Sequence, residues 1–202
     1  MKFRLIAAAF LLSAFQAYAQ PDPVVDSLWK VLGSASKDTN KVWSLNELSW
    51  VLMNKGEYYA SMNIAEQAKK LAEELDFTAG LSSAINKIGL IYFNRGEFSK
   101  ALEQHLLALS IREKTGDKRG VASSYNNIGN IYNRQGDYPK ALEYYTKGLK
   151  IKEQLGDQQG IANALNNMGS IYNHQKEYKR ALDYYTRAVG ISEYIGNNEG
   201  IA

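Results

Sequence analysis

The residues best equipped for chemistry in this 202-residue chain are two histidines and a set of asparagines at a fixed interval; cysteine is absent. His105 and His174 lie far apart, and neither has a carboxylate at a spacing that would orient an imidazole for proton transfer. The lack of cysteine removes thiolate metal sites, a Cys nucleophile, disulfides and a lipidated N-terminal Cys. Asp117, Asp137 and Asp157 recur, each directly after a glycine, where helix capping accounts for them. No glycine-rich phosphate loop follows a strand pattern. The expectation is a chain with no catalytic residue, no metal and no cofactor. What remains is amide chemistry. Asn46, Asn86, Asn126 and Asn166 stand in phase, and an amide both donates and accepts hydrogen bonds. Such a ladder can hold a peptide by its backbone. It can equally bond neighbouring helices and fix their stacking, which would explain tolerating a mediocre helix former.

The phase is 40 residues. Gly120–Asp157 and Gly160–Asn197 align without a gap and match at nearly half their positions. The same step backwards reaches a third copy from Gly80 and a weaker one from Asn40; forwards, Gly200-Ile201-Ala202 opens another. The expected organisation is four units over 38–77, 78–117, 118–157 and 158–197, with 198–202 starting a fifth in a longer protein. Each unit reads as two helices. Val121, Tyr125, Ile128, Ile131 and Tyr132 form one apolar stripe at helical spacing. Gln135-Gly136-Asp137 breaks it, Asp137 can cap the next helix, and Pro139 is tolerated in a first turn. Ala141, Leu142, Tyr145 and Leu149 make the second stripe, and Gly156 suits a left-handed helix end. A single hairpin cannot cover its own apolar faces, so the units must stack. A lone helix within 20–37, with Val24, Val25, Leu28, Trp29, Val31 and Leu32 on one stripe, is expected to cap the open end.

These residues resemble the tetratricopeptide repeat (TPR) family. The third copy supplies Tyr125, Ile128-Gly129, Tyr132, Ala141, Tyr145 and Gly148; the fourth supplies Leu165, Met168-Gly169, Tyr172, Ala181, Tyr185 and Ala188. The second has His105 at the aromatic position, and the first has Ser49 and Ser61 where the others have Gly and Ala. The longer unit, with Asn-Asn before the Gly, looks like the 40-residue subclass of kinesin light chains and of exported sensor and scaffold proteins from Bacteroidetes-type bacteria. The resemblance implies an all-α, right-handed superhelical solenoid of antiparallel helix pairs that binds proteins or peptides in a concave groove lined by first helices.

It also implies four inward positions per repeat. They are Trp43, Ser83, Ser123 and Asn163; then the Asn46, Asn86, Asn126, Asn166 series; then Trp50, Leu90, Asn130 and Ser170; then Met53, Phe93, Asn133 and Asn173. Asn127 and Asn167, beside the ladder, suit bonds between helices. Trp43, Trp50, Leu90 and Phe93 read as an apolar anchor followed by a backbone-reading track, unless the N-terminal helix covers them. Inward Lys and Arg are absent, with Arg134 only beside the series, so a carboxylate clamp is not expected. Tyr144, Tyr145, Tyr184 and Tyr185 suit core and flank rather than a stacking platform.

The first residues read as an address. Lys2 and Arg4 precede an apolar run from Leu5 to Phe15, and Ala17-Tyr18-Ala19 offers a cleavage site before Gln20. The expected signal peptide, 1–19, places the protein outside the cytoplasm, in the periplasm or beyond. Removing it takes two of the 24 basic residues and none of the 21 acidic ones, so net charge falls from +3 to +1. That balance does not favour nucleic acid. Contact with a membrane would come only through an uncleaved signal or a later segment. The rival to a binding scaffold is the sensory input region of a membrane-bound kinase, cyclase or transcriptional regulator.

Overall fold

The computed structural model describes residues 23–34 and 36–199. The expected signal peptide and Gly200-Ile201-Ala202 lie outside them, while residues 198 and 199, expected to start a fifth unit, continue the last helix. Among the described residues there are nine α-helices and no strand. The first, α1 (Pro23–Ser34), is followed by four hairpins. These are α2 (Thr39–Asn54) with α3 (Tyr58–Glu74), α4 (Thr78–Asn94) with α5 (Phe98–Thr115), α6 (Lys118–Arg134) with α7 (Tyr138–Leu155), and α8 (Gln158–His174) with α9 (Tyr178–Glu199). Each helix packs most closely on its hairpin partner, and each second helix packs on the first helix of the next unit, which is how a solenoid builds one continuous core. No helix among the described residues is long and apolar enough to cross a membrane.

The caps come from the aspartates. Asp117, Asp137 and Asp157 side chains accept from the backbone N–H groups of Gly120, Lys140 and Gly160. The α5 and α7 helices end on Gly116 and Gly156 with φ of 71° and 66°. Asp76 and Lys176 occupy the same left-handed geometry without the glycine that suits it.

Inside each hairpin, Gly89, Gly129 and Gly169 leave room for one ring from the second helix. A Cβ on Gly89 would come within 2.8 Å of His105, on Gly129 within 2.6 Å of Tyr145, and on Gly169 within 2.8 Å of Tyr185. The first hairpin reaches the same close approach differently. Ser49 replaces the glycine and Ala65 replaces the ring, so bulk moves from one helix to the other. The space is closed by paired serines: Ser61 Oγ donates to the Ser49 carbonyl at 2.7 Å and Ser49 Oγ to the Ser61 carbonyl at 3.1 Å. The departure of the first copy from the pattern is therefore a compensated exchange.

The N-terminal helix covers less than its stripe suggests. Leu32 is buried, and Val25 and Leu28 pack against the cluster of Val42, Leu45 and Leu48, while Val24 and Trp29 remain exposed. Trp43 and Trp50 stay 46% and 36% exposed, so α1 does not cover the aromatic end of the first-helix face.

Candidate functional site on the first-helix face

Between α4, α6 and α8 the first helices enclose a recess of about 530 Å³ lined by Phe93, Asn130, Asn133, Arg134, Tyr138, Ser170 and His174. Each element delivers its side chain for a local reason. Asn130 and Ser170 directly follow the close-packed glycines Gly129 and Gly169, so the ring packing that fixes each helix against its partner also fixes where they sit. Asn130 is also held, its Oδ1 accepting from the buried Tyr145 hydroxyl at 2.7 Å. Burial pushes that phenol up to about 12, so it stays a donor across the ordinary pH range. Tyr138, at the start of α7, stacks parallel to His174 with ring centroids 6.3 Å apart. The Arg134 guanidinium lies over the Phe93 ring, 6.0 Å from its centroid. A second, smaller recess of about 310 Å³ lies further along the α6 and α8 helices and includes Ser123, Asn126, Asn163, Arg119 and Lys152.

The asparagine series divides. Asn46 is 3% exposed, and its amide nitrogen donates to the carbonyls of Val42 and Gly80 at 3.1 and 3.4 Å. Asn86 is buried, and its Oδ1 accepts from Asn127 Nδ2 at 3.0 Å. Asn126 is half-buried and accepts in the same way from Asn167 Nδ2 at 3.1 Å. The Asn-Asn pair is thus a buckle: the first amide of one repeat receives the second amide of the next. Asn166 is exposed, and no described residue donates to it. At the first junction Lys87 replaces the donor. Its ammonium sits over the Trp50 ring at 4.2 Å, and Asn46 Oδ1 is left buried without a hydrogen-bond partner.

This division has a measurable consequence. Asn167→Ala strands a half-buried acceptor and is expected to lower stability by about 1 kcal/mol. Asn166→Ala, one position away, is expected to change stability by less than about 0.5 kcal/mol. Urea unfolding followed by circular dichroism checks both.

The remaining positions read from sequence are distributed as follows. Trp43 meets Phe77 edge-on with ring centroids 5.5 Å apart. Met53 is buried, Leu90 packs beside it, and Asn173 is exposed next to the recess. Tyr138, His174 and Arg134 line the recess although none of them falls on an inward position of the repeat. Arg134 and His174 occupy one repeat position, which was the available signal.

Family models for the tetratricopeptide repeat match residues 42–75, 80–154 and 120–194. The chain belongs to the tetratricopeptide repeat family. No curated protein sequence matches it. Among solved structures it is similar to BtubC (BKLC) from P. vanneervenii, with 22% identity over 86% of this chain and 75% of that one and a TM-score of 0.73. It is similar to a Rap protein complexed with competence and sporulation factor (22% identity, TM-score 0.77, 84% of this chain); there it spans about half of the neighbour's length, 48%. It is also similar to a putative kinesin light chain from Podosopora anserina with nearly identical TPR-like repeats, at 16% identity over 96% of this chain and 97% of that one and a TM-score of 0.65. At these identities the likeness carries the fold: an all-helical TPR solenoid.

Proposed function

We propose that this repeat protein is a non-catalytic scaffold that holds a protein or peptide partner on the first-helix face, with Asn130, Asn133 and Ser170 as contacts. One observation carries the reading. The recess opens between three successive repeats and is lined by amides, a hydroxyl and a guanidinium that can serve a peptide backbone. The Rap neighbour, solved in complex with a factor, supports a binding role for the fold. Asn46 and Asn86 support the stack, so the contact set narrows to the recess and the exposed amides near it, Asn166 and Asn173. The test is affinity capture with the chain and two variants. Ser170→Trp fills the recess, and Lys150→Trp adds the same bulk on an exposed second-helix position. Partners captured by the wild type should be lost with the first variant and kept with the second. Retention by both would refute the groove.

The same reading includes export and the long-unit subclass. Its support is the basic start, the apolar run and Ala17-Tyr18-Ala19. In a bacterial host the extracytoplasmic form should begin at Gln20 by N-terminal sequencing; an intact Met1 in the cytoplasmic fraction would contradict export.

A further inference from the structure

The near-neutral net charge conceals a segregation. Of the 21 acidic residues, only Glu47 lies in a first helix; α4, α6 and α8 contain neither Asp nor Glu. The same four helices carry Lys41, Lys87, Lys118, Arg119 and Arg134. Several cations on the second helices and turns are paired with carboxylates: Lys100 with Glu97, Lys140 with Asp137, Lys147 with Glu143, Arg180 with Glu177 and Arg187 with Asp183. On the first-helix face, Lys87 and Arg134 have no carboxylate within ion-pair distance among the described residues. Each lies over an aromatic ring, Lys87 on Trp50 and Arg134 on Phe93, as the paired cations also do, but without a carboxylate contact. A cation held on a ring keeps one side open to an incoming anion. Glu47 is the one nearby acid; it acts on Lys87 from a distance without forming an ion pair, so neither cation is neutralised by contact.

We propose that the partner segment received by this groove is acidic, with at least two carboxylates that meet Lys87 and Arg134. The proposal rests on the binding reading above and names the chemistry of the partner. A protein segment fits better than nucleic acid. Two ring-bound cations are few for a phosphate backbone, and the Trp50 and Phe93 faces that would stack on bases are already occupied. The amides of Asn130 and Asn133, which line the recess with Arg134, suit a peptide backbone.

The experiment selects a random peptide library displayed on phage against the immobilised full chain, against Lys87→Gln/Arg134→Gln, against Lys100→Gln/Lys140→Gln, and against Ser170→Trp. Circular dichroism first establishes that each variant is folded. Enrichment of Asp and Glu by about threefold or more over the unselected library is expected on wild type and on Lys100→Gln/Lys140→Gln. It should vanish on Lys87→Gln/Arg134→Gln, and synthetic peptides from the selection should bind that variant at least about tenfold more weakly by fluorescence anisotropy. Peptides enriched without acidic bias, yet lost on Ser170→Trp, would overturn the proposal and leave the binding groove standing. Peptides equally enriched on Ser170→Trp would overturn both. Binding of oligothymidylate that depends on Lys87 and Arg134 would overturn it in favour of nucleic acid.

Discussion

Tyr145→Ala is expected to lower stability by about 4 kcal/mol, the largest loss from any single side chain in the stack. Tyr145 is almost completely buried, packs with Ala141, Met168 and Ile171, and fills the space that Gly129 leaves by lacking a Cβ. Truncation removes the ring, opens a cavity between two repeats and deprives Asn130 Oδ1 of the Tyr145 hydroxyl that donates to it. Gly129→Ala alone should also destabilise, although alanine is the better helix former by about 1 kcal/mol, because its methyl would collide with the ring. The two changes should couple favourably. The first hairpin already uses the combined solution, with Ser49 in place of the glycine, Ala65 in place of the ring and Ser61 completing the contact. Adding Gly129→Ser and Ala141→Ser to Tyr145→Ala should therefore recover about 1 kcal/mol or more of the loss by urea unfolding. Full additivity of the losses would contradict the exchange of bulk between the two helices.

The second large effect is acid sensitivity at His105. The ring is 1% exposed, and burial, with the Arg112 charge as a lesser cause, pushes it from 6.5 down to about 4. Folded His105 is neutral, and its Nδ1 lies 3.2 Å from Asn86 Oδ1, where the Nδ1–H tautomer donates. The unfolded chain binds the proton first as pH falls. Stability is therefore complete above 6.5, declines between 6.5 and 4, and is lower by about 2 kcal/mol at pH 5 and about 3 kcal/mol below pH 4. His105→Phe, which places an apolar ring against Gly89, should remove this component. Unfolding free energies at pH 7 and pH 5 should then differ by about 2 kcal/mol less in the variant than in the wild type. Equal pH dependence in the two proteins would show that His105 is not the group responsible.

Much of the fold was legible because the 40-residue step repeats both apolar stripes and punctuation. Helices begin at Thr78, Lys118 and Gln158, and again at Phe98, Tyr138 and Tyr178, each 40 apart. The ring at position 105, 145 or 185 and its facing glycine could be read as a close pair, since both belong to one hairpin. The partner of each asparagine could not. Asn126 falls on the same helical face whether it meets a ligand or Asn167, and only the angle between successive repeats decides between them. The recess was partly hidden for a related reason. Asn130, Asn133 and Ser170 follow from helical phase, but Arg134 enters because its long side chain reaches back over Phe93, and Tyr138 because it begins the next helix beside His174. Reach and turn geometry leave no periodic trace. The segregation of acid from the first helices was readable as soon as helix limits were known, and total charge had obscured it.

The most direct measurement of the central claim is site-specific photocrosslinking in the producing cell. A benzophenone amino acid at Asn133 reports on the recess, and the same group at Lys150 reports on an exposed second helix. The account predicts discrete protein adducts from position 133, their loss when Ser170→Trp is added, and none of the same adducts from position 150. Identical adducts from both positions, or adducts from 150 alone, would contradict it.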